Sequence, residues 1–122
     1  MKDKVMIIDD DEIICELGTE MLEMLDIVAI SAHTKAEAIG LFQSIHAEIA
    51  FALVDLNIGK ESGIDVMYEM KKIDPTVIAI TASGSLLDSE SDKYIAMGFS
   101  GIITKPYSLN TLRNLIEKYM EQ

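Results

Sequence analysis

Five short apolar runs recur along the chain, Val5 to Ile8, Ile27 to Ile30, Ile49 to Val54, Val77 to Ile80 and Ile102 to Thr104, each followed by a segment of helical period. The alternation predicts βα units and a parallel sheet with helices on both faces, because a run that is apolar at nearly every position must be buried from both sides. The first helix is expected from about Glu12 to Leu25, with Ile13, Leu17, Met21 and Leu25 as its core stripe. The second opens on a capping-box pattern, Thr34-Lys35-Ala36-Glu37, and carries Ala38, Ile39, Leu41, Phe42 and Ile45 as its apolar residues. A third runs from about Gly63 to Ile73 and stops before Asp74-Pro75, since a residue preceding proline disfavours the helical region. Gly98 ends a fourth, about Ser91 to Met97, and Ser108 caps a fifth in which Leu109, Leu112, Ile116 and Tyr119 share a side.

Composition narrows the function classes. The chain has 122 residues, 49% of them hydrophobic and 25% charged, which is globular composition and enough for a single domain over 1–122. Its longest apolar stretches are too short to cross a bilayer, and the opening MKDKVMIIDDDE passes from a strand straight into acid, so a cytoplasmic protein is expected. Twenty-one acidic residues against ten basic ones give a net charge of −11, which repels phosphate backbones and anionic lipid. Neither nucleic acid nor membrane is therefore an expected partner. No Walker A or GxGxxG pattern occurs, and His33 and His46 lack partners at metal-ligand spacing. The single cysteine, Cys15, cannot form an internal disulfide and reads as a packed thiol of the first helix.

In an open parallel α/β sheet, functional groups collect beyond the carboxyl ends of the strands. After the first strand come Asp9, Asp10, Asp11 and Glu12; after the third, Asp55; after the fourth, Thr81; after the fifth, Lys105-Pro106. Alone, Asp55 is either a polar residue where a strand meets solvent or a group that does chemistry. Asp11 is a natural helix N-cap and Glu12 suits the positive end of the helix dipole, which leaves Asp9 and Asp10 unexplained by capping. Crowded carboxylates repel unless a cation sits among them, and Mg²⁺ takes oxygen ligands while needing only one or two carboxylates. With Mg²⁺ present, Asp55 can attack a phosphoryl group, Lys105 can neutralise the transferred charge, and the Thr81 hydroxyl can donate to a phosphoryl oxygen.

Met6-Ile7-Ile8-Asp9-Asp10-Asp11-Glu12, Leu53-Val54-Asp55-Leu56-Asn57 with Gly63 beyond it, Ala79-Ile80-Thr81-Ala82 and Ile103-Thr104-Lys105-Pro106-Tyr107 together resemble a response-regulator receiver domain, over essentially the whole chain. The resemblance implies a flavodoxin-like, doubly wound (βα)5 fold whose five-stranded parallel sheet has the order 2-1-3-4-5. It implies that Asp55 accepts phosphate from a phosphohistidine on a sensor histidine kinase or a histidine phosphotransfer protein. It implies Mg²⁺ held by Asp10 with Asp9 beside it, by Asp55 and by the backbone carbonyl of Asn57, with Thr81 as switch hydroxyl and Lys105 as phosphate-binding lysine. A cis Lys105-Pro106 bond is also implied. Signalling would pass to a downstream partner or an attached output domain through the face of the fourth helix, fifth strand and fifth helix. Such a domain is not an enzyme beyond catalysing its own phosphorylation and dephosphorylation.

The chain departs from the family pattern at two points. Gly59 stands where receivers commonly carry proline, which loosens that loop, and Ile102 replaces the usual switch aromatic. Asn57 and Ser83 occupy positions that tune dephosphorylation in the family. Two rival readings remain open. One is a receiver-like interaction module that is never phosphorylated, for which Ile102 is the motive. The other is a haloacid-dehalogenase-like phosphatase, since Asp9 and Asp11 flank one residue and Thr81 and Lys105 follow in order. That reading leaves Asp55 idle and lacks an aspartate after the lysine, because none lies between Pro106 and Gln122.

Overall fold

In the computed structural model, which describes residues 2–83 and 88–120, strands and helices alternate along the chain. They are β1 (Lys4–Ile8), α1 (Glu12–Met24), β2 (Val28–Ala32), α2 (Lys35–Ile45), β3 (Ile49–Asp55), β4 (Asn57–Ile58), β5 (Glu61–Ser62), α3 (Gly63–Ile73), β6 (Ala79–Ser83), α4 (Asp88–Met97), β7 (Gly101–Thr104) and α5 (Leu109–Tyr119). The long strands form one five-stranded sheet in the order β2-β1-β3-β6-β7, with every pairing parallel. This is the expected 2-1-3-4-5 order; only the labels shift, because β4 and β5 make a separate two-stranded antiparallel ribbon that the apolar pattern does not reveal.

Alternation along the central strands sends side chains to two cores. Met6, Ile8, Ala52 and Val54 pack with Phe42, Val66 and Met67 on one face of the sheet. Val5, Ile7, Phe51 and Leu53 pack with Leu22, Leu112 and Ile116 on the other. All seven residues of β3 are buried, as a central parallel strand requires.

Three expectations need correction. Ile13 and Leu17 are not core residues: they are 67% and 40% exposed, and α1 instead buries Cys15, Gly18 and Leu22. A row of every fourth residue winds about 40° per step around a helix. The row that begins at Ile13 therefore starts in solvent and reaches the core only at Met21 and Leu25, which are partly buried. Thr81 does not lie beyond the fourth long strand but within it, because β6 spans Ala79–Ser83 and so ends three residues past the apolar run. Helix α4 starts at Asp88 and not near Ser91.

Local chemistry ends the helices where the sequence places the caps. Thr34 and Ser108 each accept a backbone N–H at the start of α2 and α5, Gly98 has a φ of +127° just past α4, and Ser62, which the sequence pattern does not single out, caps α3 in the same way. Between α3 and β6, Asp74 accepts from the Thr76 hydroxyl at 2.6 Å and the Thr76 amide at 3.0 Å, and its Oδ2 lies 3.1 Å from Nδ1 of His46. Those contacts, Thr76 first, hold its carboxyl down to about 2 from an ordinary 3.8. A carboxylate with a lowered folded pKa stabilises the fold above its unfolded value, and the benefit disappears as pH falls through the folded one. Asp74→Asn is thus expected to lower the urea midpoint at neutral pH by the equivalent of about 1 kcal/mol. The gap to wild type should close between pH 3.8 and about 2, and a constant gap over that window would contradict the assignment.

Candidate functional site

Asp9 is the first residue after β1 and is completely buried. Its Oδ1 accepts the Asp11 amide at 2.9 Å and its Oδ2 accepts Nζ of Lys105 at 2.8 Å. Asp55 closes β3, is 7% exposed, and its Oδ2 accepts the same Nζ at 3.1 Å. Lys105 follows β7 and its bond to Pro106 is cis. One ammonium therefore bridges two carboxylates from different strand ends. Asp10 is exposed, and one of its oxygens lies within 4.8 Å of oxygens from Asp9 and Asp55. The Asp11 carboxylate serves as the N-cap of α1, accepting from Ile13 and Ile14, and only the Asp11 backbone amide reaches the cluster.

Electrostatics set what this arrangement can bind. Burial pushes the Asp9 carboxyl above its ordinary value, further than the bonds from Lys105 and the Asp11 amide pull it down. For Lys105, burial alone would lower the ammonium, but the bonds to Asp9 and Asp55 outweigh it and the net direction is up. Three carboxylates with one ammonium bonded to two of them still carry excess negative charge. A hard divalent cation with oxygen ligands is the species this donor set suits. Neither a sulfur nor an imidazole belongs to the cluster.

Thr81 is fully buried and its hydroxyl donates to the Val54 carbonyl at 3.1 Å. It stands beside β3, since Val54 pairs with Thr81 and Asp55 with Ala82, and its described hydrogen bond goes to Val54 and not to Asp55. Ile102 pairs with Thr81 on the other side. Asn57 begins the small ribbon, exposed, and stands opposite Ser62. The Ser83 side chain and residues 84–87 lie outside the described residues. Cys15 is buried, donates from Sγ to the Asp9 carbonyl at 3.5 Å, and has its thiol pushed up to about 11 by burial. It is packed, and the upward shift disfavours its thiolate.

Two contributors escaped the reading of polar residues because they act through the backbone. The Gly59 amide donates to Oδ2 of Asp10 at 3.0 Å. Gly63 begins α3 directly against β3, its amide bonded to the Leu56 carbonyl at 2.9 Å, and a Cβ there would overlap the Asp55 carbonyl oxygen. The only available signal was the position of two glycines after the aspartate.

The family model for the response regulator receiver domain matches residues 5–117. The transcriptional regulatory protein CpxR of Escherichia coli is 31% identical over 106 residues, covering 86% of this chain and 44% of that protein. The sensor kinase CckA of Brucella abortus is 21% identical, over 97% of this chain and 12% of its own length. The chain spans less than half the length of the curated relatives it matches. Among solved structures, the Vibrio cholerae chemotaxis protein CheY4 superposes with a TM-score of 0.86 at 17% identity, covering 98% of this chain and all of that one.

Proposed function

Because the chain belongs to the response regulator receiver family, the signal-receiving module of two-component systems, we propose that it works by phosphorylation of Asp55. The observation that carries this reading is Lys105 donating at once to Asp9 and Asp55, with Asp10 beside them. A haloacid-dehalogenase site would leave Asp55 idle, whereas here it shares the lysine.

An Asp55 oxygen attacks the phosphorus of a phosphohistidine, the P–O bond forms as the P–N bond breaks, and the imidazole leaves with the electron pair. Asp9, Asp10, Asp55 and the Asn57 carbonyl would hold Mg²⁺, which supplies charge neutralisation on the phosphoryl oxygens. Lys105, already bonded to the Asp55 carboxylate, would neutralise charge on the transferred group. Thr81 has to exchange its bond to Val54 for one to phosphate, which makes its hydroxyl a two-position element. Output then runs through the face of α4, β7 and α5, where Ile95 is 47% exposed.

An apolar ridge on α1 supports the proposed phosphodonor, a sensor histidine kinase or histidine phosphotransfer protein. Ile13, Leu17 and Met24 are 67%, 40% and 70% exposed, and Ile13 stands four residues from Asp9. The downstream end is a partner or an attached output domain, as the longer relatives suggest. Among the described residues no helix is long and apolar enough to cross a membrane, and a cytoplasmic setting fits the proposed partners. The only chemistry proposed is phosphorylation and dephosphorylation of the domain itself.

The test is phosphate incorporation from acetyl phosphate or phosphoramidate, read by intact-protein mass spectrometry with and without Mg²⁺. Wild type should gain one Mg²⁺-dependent phosphoryl group and Asp55→Asn none. A folded, Mg²⁺-binding wild type that takes up no phosphate would make the chain an interaction module instead.

A further inference from the structure

The ribbon β4/β5 turns at Gly59-Lys60, with Asn57 opposite Ser62 and Ile58 opposite Glu61. Its position is fixed from two sides. Ile58 is buried in the core, 2% exposed, and Oε1 of Glu61 accepts the Lys35 amide at the start of α2 at 3.2 Å. The amide at the tip of this anchored turn is the one that donates to Asp10. Asp10 itself is exposed, and among the described contacts this is its one hydrogen bond across the loop.

We propose that the Gly59 backbone N–H is a positioning group for the divalent-cation site, holding the Asp10 carboxylate in the rotation that keeps it beside Asp9 and Asp55. This rests on the reading of those three carboxylates as the cation site. An exposed carboxylate free to rotate gives up conformational freedom when it ligates a metal and is repelled by two neighbouring charges until it does. A hydrogen bond from a fixed amide removes part of both costs before the metal arrives. Outer-shell partners of this kind are worth about 10–100-fold in metal affinity.

The chemistry also explains the residue. Gly59 has a φ of +61°, with no atoms near its missing Cβ, so the demand is conformational and not steric. A proline there has no N–H and is confined to negative φ. The glycine in place of the family's proline thus gives the site a donor, and the loop it was expected to loosen is tied to Asp10.

Mg²⁺ titration of the unphosphorylated full chain, by calorimetry and by amide chemical shifts, tests the proposal. Gly59→Pro should weaken Mg²⁺ about 10-fold or more. Gly59→Asn, which retains the N–H and tolerates left-handed backbone, should stay within about threefold of wild type. Equal affinity of a folded Gly59→Pro variant overturns the proposal, as does an Asn variant that loses as much as the proline one. Should Gly59→Pro fail to fold, hydrogen exchange of the wild type decides. The Gly59 amide is expected to remain protected relative to Lys60 with Mg²⁺ bound, and rapid exchange there overturns the assignment. A wild type with no Mg²⁺ affinity removes the cation site itself, an outcome distinct from any of the variant results.

Discussion

Gly63→Ala is expected to destabilise the protein by about 3 kcal/mol, the upper end of what overpacking costs, and to slow phosphate uptake at the same time. The atoms a new Cβ would strike are the Asp55 carbonyl oxygen and carbon and the Leu56 Cα, all of them backbone. A flexible side-chain tip could turn aside, but a strand end cannot. Either α3 shifts or the last residue of β3 does, and that residue is the proposed phosphate acceptor, Asp55. Gly40 provides the matched control: it lies in α2, and a Cβ there meets nothing within 4 Å. Gly40→Ala should therefore raise stability by about 0.5–1 kcal/mol through the reduced freedom of the unfolded chain and better helix propensity. Urea unfolding of the two variants, alongside phosphate incorporation, measures the contrast. Equal stability of Gly63→Ala and wild type would mean that the β3–α3 junction is not the tight contact described here.

What was legible in the sequence follows the same division between side chain and backbone. The sheet could be read because its strands are apolar at nearly every position and its helices repeat at a different period. Asp9, Asp10, Asp55 and Lys105 could be read because their charges interrupt those runs at strand ends, and the structure brings all four together. Periodicity failed for α1, where the exposed Ile13 and Leu17 share a four-residue row with the partly buried Met21. An apolar stripe reports a surface that avoids water without saying whether this chain or a partner covers it. Thr81 was placed past the strand end because β6 runs on to Ser83, three residues beyond its apolar run, and the isolated hydroxyl inside a strand looks like its end. The ribbon and the Gly59 and Gly63 contacts were hidden because a backbone amide or a missing Cβ leaves no polar letter. Their effects appear only when the chain segments are laid side by side.

Lys105→Met is expected to lower stability at neutral pH, without divalent cations, by about 3 kcal/mol, the lower end of the cost of leaving buried charge unpaired. Methionine keeps the apolar stem but leaves Asp9, fully buried, and Asp55, mostly buried, facing each other with no ammonium between them. The pH dependence separates this from a packing defect. In the wild type the Lys105 ammonium sits above its ordinary 10.5, so its contribution is complete below that value and is lost only as pH rises through the higher folded one. Neutral solution therefore retains the whole of it. In the variant, the Asp9 carboxyl, already raised by burial, loses the bond that opposed the rise. Its folded form then holds a proton more tightly than the unfolded chain, so the variant should regain stability as pH falls below neutrality, with the sign opposite to Asp74. Mg²⁺ should restore the variant more than it stabilises wild type, because in the variant nothing else neutralises Asp9 and Asp55. Urea unfolding across pH, with EDTA or with Mg²⁺, reads both effects. A deficit unchanged by pH and cation would mean that Lys105 contributes packing alone. A deficit that closes with Mg²⁺ would show that the ammonium and the cation relieve the same repulsion, which is the physical basis on which phosphate could draw the lysine away from the aspartates.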